Sequence, residues 1–146
     1  MKDRFLKSRW FAALSAAALT AAGMTGMRLL AADGPRPVAA QTVFSEALPN
    51  VPGKRLTLVR VTYQPGAKSP SHAHAGSVYA YVLSGKVRSE VSTLGAAKVY
   101  AAGEGFFESP GSVHRVSENA SGAEPASLLA IFVADDGAQL TRSATE

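Results

Sequence analysis

The chain has 146 residues, a formal net charge of +4, no cysteine and a sequence pI of about 9.6. Residues 1–40 carry six basic and two acidic side chains, whereas residues 41–146 carry nine of each. Because the basic excess lies in the first forty residues, the rest of the chain lacks the positive surface that nucleic-acid binding requires. The absence of cysteine excludes a disulfide framework and thiolate chemistry, and the length suits one domain.

The first forty residues predict an export signal. A charged start, residues 1–9, precedes an apolar, alanine-rich stretch, residues 10–30. This order is typical of a secretory signal peptide, which is removed from the mature protein. The small residues Val38-Ala39-Ala40 predict cleavage after Ala40, and cleavage after Ala32 is the alternative. We therefore expect a periplasmic or secreted protein with a signal peptide at 1–40 and a mature domain at 41–146.

The same apolar stretch leaves an uncleaved membrane anchor open. The eighteen uncharged residues 10–27 approach the ~20 that span a bilayer. Many of them are Ala, Ser, Thr or Gly, which insert weakly, so cleavage is the preferred interpretation. Either way we expect the folded domain outside the cytoplasm, and no stable membrane contact once the leader is removed.

Beyond residue 41 the sequence predicts strands separated by turns. Runs rich in Val, Leu, Thr and Tyr are bounded by Gly, Pro and Ser at intervals of roughly 8–12 residues. No stretch shows the apolar period of a helix. The predicted strands are 56–63, 78–83, 86–91, 98–100, 105–108, 113–117 and 127–133. The pattern indicates an all-β barrel or sandwich with one core, and the polar residues 135–146 are expected to fray.

The three histidines are the candidate metal ligands. His72 and His74 are two residues apart, so on a strand they project from the same face. Both imidazoles could then reach one ion at the ~2.0–2.1 Å of a zinc–nitrogen bond. His114 follows Pro110-Gly111 at the start of another predicted strand, which a barrel can bring beside the first. An isolated His-x-His is more often a surface pair, so the neighbouring turn residues decide whether the metal-ligand interpretation is preferred.

Those turn residues resemble the two motifs of the cupin superfamily. Gly66, five residues, His72-Ala73-His74 and later Gly85 follow the first motif, G(x)5HxH(x)3–4E(x)6G. The second motif, G(x)5PxG(x)2H(x)3N, is matched by Gly103, Gly111, His114 and, one place late, Asn119. Its proline position is Ser109, with the proline shifted to Pro110, which we expect to alter only the turn. The resemblance covers roughly residues 56–133. It implies a single antiparallel β-barrel of jelly-roll type with one metal ion bound by His72, His74 and His114.

One departure from the first motif changes the expected site. Val78 stands where the motif has a glutamate, which in metal cupins is usually the fourth protein ligand. Tyr79 or Glu108 could replace it only if the backbone bulges. The preferred interpretation is three histidines with two or three open coordination positions.

The expected cofactor is one divalent transition-metal ion, either Zn, Fe, Mn, Cu or Ni, because imidazole suits all of them. Around it we expect an apolar pocket with few polar groups. The candidate pocket residues are Val78, Tyr79, Ala80, Tyr81, Val82, Phe106 and Glu108. Core packing is the alternative role for each aromatic side chain, since small barrels are filled by such groups.

The resemblance implies two kinds of function. The first is a metal-dependent enzyme of the oxygenase or isomerase class, acting on a small aromatic or enolisable compound. The alternative is a non-catalytic module that binds a metal or a small ligand. Fold alone does not decide between them, and no catalytic residue is assigned, because every histidine already serves as a ligand. The resemblance also implies a small-molecule partner and a possible homodimer formed through residues 42–48.

Overall fold

The computed structural model describes residues 37–144, which form eleven strands and no helix. Nothing in this part of the chain could cross a membrane as an apolar helix. The strands are β1 (Val38–Ala47), β2 (Lys54–Tyr63), β3 (Lys68–Ser69), β4 (His72–His74), β5 (Ser77–Ser84), β6 (Lys86–Val91), β7 (Lys98–Ala101), β8 (Gly105–Glu108), β9 (Val113–Asn119), β10 (Ala126–Asp135) and β11 (Thr141–Ser143).

Two antiparallel sheets make up the barrel. The five-stranded sheet has the order β1-β2-β10-β5-β8, and the six-stranded sheet has the order β11-β4-β9-β6-β7 with β3 paired to β9. Every strand pair is antiparallel. Short connections repeatedly carry the chain from one sheet to the other, and the predicted jelly-roll barrel is confirmed.

The core lies between the two sheets and follows the two-residue alternation of the strands. On β5, Val78, Ala80 and Val82 are buried, while the residues between them are exposed. Val87 and Val91 of β6 meet them from the other sheet. Full burial of each such valine contributes about 1.5–3 kcal/mol, so the apolar alternation is what closes the barrel.

The turn between β5 and β6 explains one of the motif glycines. Gly85 has a φ of 69°, a left-handed conformation that side chains rarely adopt. A Cβ there would lie 2.7 Å from the Pro125 carbonyl oxygen and 2.9 Å from the Ala126 Cα. Glycine is therefore required both for the turn and for the close approach of the chain that leads into β10.

The C-terminal residues are better ordered than the sequence indicated. The expectation that residues 135–146 fray is wrong for Thr141–Ser143, which form β11 and pair with β4 in the register Thr141↔His74 and Ser143↔His72. A further backbone hydrogen bond of 3.3 Å joins the Ala144 N–H to the Ser71 carbonyl. The polarity of the segment hid a short edge strand whose partner is the strand that carries two of the histidines.

Strand β1 begins inside the segment that the sequence assigns to the signal peptide. Val38, Ala39 and Ala40 pair with Tyr63, Thr62 and Val61 of β2. Cleavage after Ala40 would remove these three residues from the sheet, whereas cleavage after Ala32 would leave β1 whole. Residues 1–36, including the alternative site after Ala32, lie outside the described residues, so the signal peptide and its cleavage site stay predictions.

Candidate metal centre

The fold brings the three histidines together on the inner face of the six-stranded sheet. His72 and His74 lie on β4, and β4 pairs with β9 so that His72 is directly opposite His114. One donor nitrogen from each ring falls within 4.8 Å of the others. The ring centroids of His72 lie 4.8 Å from His74 and 5.0 Å from His114. The His-x-His spacing predicted the shared face of His72 and His74, and the turn residues before His114 predicted that it would join them.

Backbone carbonyls orient the two β4 imidazoles. His72 Nδ1 donates to the Pro70 carbonyl at 2.7 Å. His74 Nδ1 lies 3.1 Å from both the Leu140 carbonyl and the Thr141 hydroxyl oxygen. Because a carbonyl only accepts, each Nδ1 carries the proton and each Nε2 keeps its lone pair. Such outer hydrogen bonds fix the tautomer of a metal-ligating histidine, so both rings present Nε2 as the donor atom.

His114 is oriented in the opposite sense. Its Nε2 is hydrogen-bonded to the Ser89 hydroxyl at 2.8 Å, which leaves Nδ1 as the atom that faces the other two rings. The residue is only 3% exposed, and its Nδ1 lies 3.3 Å from Glu108 Oε2. The centre therefore offers two Nε2 donors from β4 and one Nδ1 donor from β9.

Two buried atoms at this point lack partners in the described part of the chain. His114 Nδ1 and Glu108 Oε2 are fully enclosed and make no hydrogen bond. Buried polar groups are almost always satisfied, and an exception indicates a ligand, a water or an ion. A divalent cation would satisfy both atoms at once, so the residues present fit the metal that the cupin resemblance implies.

The protonation states also suit a cation. Burial is the main cause that lowers the pKa of His72 and of His74, so both imidazoles are neutral near pH 7. Burial alone would raise the pKa of Glu108, but the interaction with His114 and the nearby His74 and His72 rings outweighs it and lowers that pKa. The centre thus combines neutral imidazole donors with an ionised carboxylate.

The donors open into a cavity of about 430 Å³ between the sheets. The wall opposite the histidines is apolar and comes from β2 and β10, with Val59, Val61, Leu128, Ala130 and Phe132. Residues of the segment before and within β11, from Gln139 to Ser143, line the mouth. A cavity of this size, largely apolar with a few polar groups, is typical of a small-molecule site.

The predicted pocket residues divide into three groups. Ala80, Phe106 and Glu108 line the cavity. Val78 and Val82 face inward, like Ala80 between them, but both are fully buried in the core and do not reach the cavity surface. The assignment of Tyr79 and Tyr81 to the pocket is corrected.

Tyr79 and Tyr81 are 43% and 38% exposed on the outer face of the five-stranded sheet. Their parity on β5 is opposite to that of the buried Ala80, so their side chains point away from the cavity. Phe107 is likewise exposed on this face, directly opposite Tyr79. Both faces of β5 are apolar, so apolar character alone did not separate the pocket residues from the tyrosines of the outer face.

Ser89, Leu140 and Thr141 orient the ligands but were not predicted. Ser89 is buried on β6, which pairs with β9, the strand that carries His114. Its parity with Val87 and Val91 was a usable signal, because it is the one polar residue in an otherwise apolar inward set. Leu140 and Thr141 gave no such signal, since they lie more than sixty residues from His74 in the sequence.

Residues 59–132, just over half of the chain, match the family described as Cupin domain. The protein is a cupin. Similar solved structures show the same fold, among them a protein with a double-stranded β-helix domain from Klebsiella pneumoniae subsp. pneumoniae. It has a TM-score of 0.60 and 22% identity, over 77% of this cupin and 89% of that chain. The DMSP lyase of Ruegeria pomeroyi has a TM-score of 0.59 and 17% identity, over 74% and 52% of the two chains.

A third similar structure is oxalate decarboxylase of Bacillus subtilis, an enzyme with Mn(II) centres. Its TM-score is 0.51 and its identity 32%, over 60% of this cupin and 23% of that chain. The cupin therefore spans less than a quarter of the decarboxylase. No curated protein matches the chain.

Proposed function

We propose that this cupin is a metal-dependent enzyme of the oxygenase or isomerase class that acts on a small aromatic or enolisable compound. The observation that carries the proposal is the convergence of three histidine donors on one side of a cavity whose other side is apolar. A bound divalent ion would supply Lewis acidity toward an anionic oxygen of the substrate.

The residues around the donors have separate tasks in this proposal. Phe132 and Leu128 of the apolar wall would hold the flat, apolar part of the substrate and exclude water from it. Ser71 Oγ is buried at the cavity lining without a hydrogen-bond partner in the described residues, so it is available to a polar group of the substrate. The Tyr63 hydroxyl, in contrast, already has a hydrogen-bond partner, the Ser117 hydroxyl at 2.7 Å.

Metal analysis tests the first part of the proposal. Protein purified from its own compartment should contain about one transition-metal ion per chain, measured by inductively coupled plasma mass spectrometry. The 32% identity to a Mn(II) enzyme supports manganese within the expected set. His114→Ala should lose most of the metal, whereas Arg115→Ala, at the next and outward-facing position of β9, should keep it. Equal metal content in the two variants would overturn the histidine centre.

A non-catalytic metal or ligand-binding module is the second candidate. The titratable groups that line the cavity, apart from the histidines, are Tyr63, Glu108 and Arg142. Burial raises the pKa of Tyr63, which makes its hydroxyl a poor base at neutral pH. If Glu108 is engaged at the metal, the lining supplies no obvious general base, and that observation favours binding without turnover.

Cobalt substitution separates the two candidates. Small catechols, enolisable ketones and carboxylates are added to the Co(II)-loaded protein, and the visible spectrum reports whether each one reaches the ion. The same compounds are followed for product by mass spectrometry in the presence and absence of dioxygen. Spectral change with product supports the enzyme. If compounds of the panel change the spectrum but none of them yields product, the result supports the binding module.

We also propose that the protein is exported and that its signal peptide is removed after Ala32. The basic start and apolar stretch of residues 1–30 support export. The pairing of Val38–Ala40 with β2 supports cleavage after Ala32 rather than after Ala40, because the later cut would shorten β1. Mass spectrometry of the secreted protein should give Asp33 as the first residue. A mature chain that begins at Gln41 would refute the earlier site.

A homodimer through β1 remains part of the proposal. β1 is an edge of the five-stranded sheet, and Val43 and Phe44 on it are 44% and 46% exposed. Exposed edge strands with apolar side chains are sites where another chain can pair. Analytical ultracentrifugation should show a dimer that Phe44→Lys converts to a monomer. A monomeric wild-type protein at micromolar concentration would exclude this interface.

A further inference from the structure

Glu108 occupies an unusual place relative to the cupin motif. It is the last residue of β8, and β8 pairs with β5 so that Glu108 is directly opposite Val78. Directly opposite residues of two paired strands share a face of the sheet, with Cβ atoms about 4.5–5.5 Å apart. Val78 is the position at which the first cupin motif has its glutamate. This chain therefore has a carboxylate on the same face, one strand further along the sheet.

The surroundings of Glu108 are those of a cation ligand. The side chain is 4% exposed, and its only ion-pair neighbours in the described residues are His74 and His114. No lysine or arginine of residues 37–144 lies within ion-pair distance of it. A buried carboxylate without a counter-charge is very unfavourable, so its retention here requires positive charge at the histidine cluster.

The distances from Glu108 to two of the three histidines agree with a shared ion. Glu108 Oε2 lies 3.3 Å from His114 Nδ1 and 3.7 Å from His74 Nε2. Ligands bound to one tetrahedral ion at ~2.0–2.1 Å are about 3.4 Å apart. A direct hydrogen bond between Glu108 and His114 would explain the shorter distance, but Oε2 and Nδ1 do not have hydrogen-bonding geometry, and both remain unpaired.

From this arrangement we propose that Glu108 is the fourth protein ligand of the metal, supplied by β8 in place of the motif glutamate that Val78 replaces. The inference deepens the proposed metal centre and rests on it. It revises the expectation of three histidines with open positions in place of the carboxylate. The site becomes three neutral imidazoles and one carboxylate, which cancels one of the two positive charges of the ion.

The proposal has a chemical consequence for the proposed function. A coordinated Glu108 is not free to act as a general base. Any proton that leaves the substrate would therefore go to solvent or to a group of the substrate itself. Compounds that are already anionic when they bind would suit such a site best, because no protein base is needed to ionise them.

The first test is Glu108→Gln, which keeps the shape of the side chain but removes its charge. Affinity for Co(II) and Zn(II) is measured by competition with a chromophoric chelator. We expect a loss of more than about 100-fold, since even outer hydrogen-bonding partners of a metal ligand are worth about 10–100-fold. The Co(II) absorption bands should also shift, because an anionic oxygen leaves the coordination sphere. Glu124→Gln, at an exposed loop glutamate, is the matched control and should change neither quantity.

The second test moves the carboxylate between the two strands. Glu108→Val alone should lose metal affinity, and adding Val78→Glu in the same chain should restore at least about 10-fold of it by returning the ligand to the motif position. This double variant keeps one buried carboxylate, so it decides the question if Glu108→Gln folds poorly. A folded double variant that binds no better than Glu108→Val would overturn the proposal.

The outcomes separate this inference from the proposed function. If Glu108→Gln keeps wild-type affinity and an unchanged Co(II) spectrum while His114→Ala loses the metal, Glu108 is not a ligand but the histidine centre stands. If His114→Ala keeps the metal, the histidine centre fails and this inference fails with it.

Discussion

The two sheets of the barrel contribute different kinds of side chain to the same cavity. The five-stranded sheet supplies the apolar wall, with Val59, Ala130 and Phe132 pointing inward. The six-stranded sheet supplies the donor atoms of His72, His74 and His114. The apolar wall of the cavity and its three histidine donors thus come from different sheets, and Glu108 of β8 is the one proposed ligand that the five-stranded sheet adds. Variants of the apolar wall should then change stability, and variants at the histidines, at their hydrogen-bond partners and at Glu108 should change metal affinity.

The outer faces of the two sheets also differ in polarity, since the six-stranded sheet is again the more polar one. On the six-stranded sheet, Arg88 pairs with Glu118 at 2.7 Å and Arg115 lies 3.6 Å from Glu90. On the five-stranded sheet, Tyr79, Tyr81 and Phe107 are exposed instead. Exposed ion pairs contribute little stability, whereas the aromatic face is the side of the molecule that another surface could cover.

The largest expected effect is on the wall. Leu128→Ala should lower the free energy of unfolding of the metal-free protein by about 2–5 kcal/mol, because it empties a packed position that is 3% exposed. Urea denaturation measures the change, and metal stoichiometry should stay at wild-type level. Leu83→Ala, at a residue 41% exposed on β5, is the control and should cost less than about 1 kcal/mol. Equal losses would contradict the division between core wall and outer face.

The next effect concerns the hydrogen bond behind His114. Ser89→Ala should lower metal affinity about 10–100-fold, because it removes the partner that holds Nδ1 toward the other donors. Isothermal titration calorimetry with Zn(II) measures it. Ser84→Ala, which removes an exposed hydrogen bond to Ser127, should leave the affinity unchanged. Unaltered binding in Ser89→Ala would mean that His114 does not depend on this bond for its orientation.

A smaller effect is expected at the mouth of the cavity. Thr141→Val removes one of the two oxygen atoms beside His74 Nδ1, but the Leu140 carbonyl remains. We therefore expect a loss of less than about 10-fold in metal affinity, below that of Ser89→Ala. Thr93→Val, in the exposed turn after β6, is the matched substitution. A larger loss in Thr141→Val than in Ser89→Ala would reverse the ranking of the two orienting contacts.

The smallest effect is the pH dependence of the metal-free protein. Burial lowers the pKa of His72 and His74 in the folded state, so the unfolded chain binds more protons below the unperturbed value of about 6.5. The contribution of these two histidines to stability should therefore fall as the pH drops from about 6.5 toward their lowered folded pKa values, and level off below them. Denaturant midpoints across this window measure the slope, and replacing both residues with Gln should flatten it. Stability that increases with acidification would contradict the sign.

The fold was largely predictable because its long strands alternate clearly. The predicted 86–91 and 105–108 coincide with β6 and β8, and 56–63, 113–117 and 127–133 fall inside β2, β9 and β10. Strands β3, β4 and β11 have two or three residues each, too few for a period to be visible. The pairing of β11 with β4 was missed for that reason.

The parts of the candidate site that could be predicted are those that depend on local patterns: residue spacing within one strand and the turn residues before it. The separation of His72 and His74 placed both on one face, and the turn residues before His114 identified its partner role. The relation of Val78 to Glu108 depends on the register between β5 and β8, which no local pattern encodes. Apolar character alone did not separate the two faces of β5, because Tyr79 and Tyr81 are as compatible with a core as Val78 and Val82.

The pairing of β11 with β4 has a consequence for the biosynthesis of the protein. His74 is oriented by Leu140, which lies 66 positions later in the chain. At translation speeds of 5–20 residues per second, roughly 3–13 s separate the appearance of the two residues. Until Leu140 and β11 pack against β4, His74 lacks the contacts that fix its tautomer. An ion that binds before then would bind to an incomplete site. The metal would be chosen in whichever compartment the chain completes its folding.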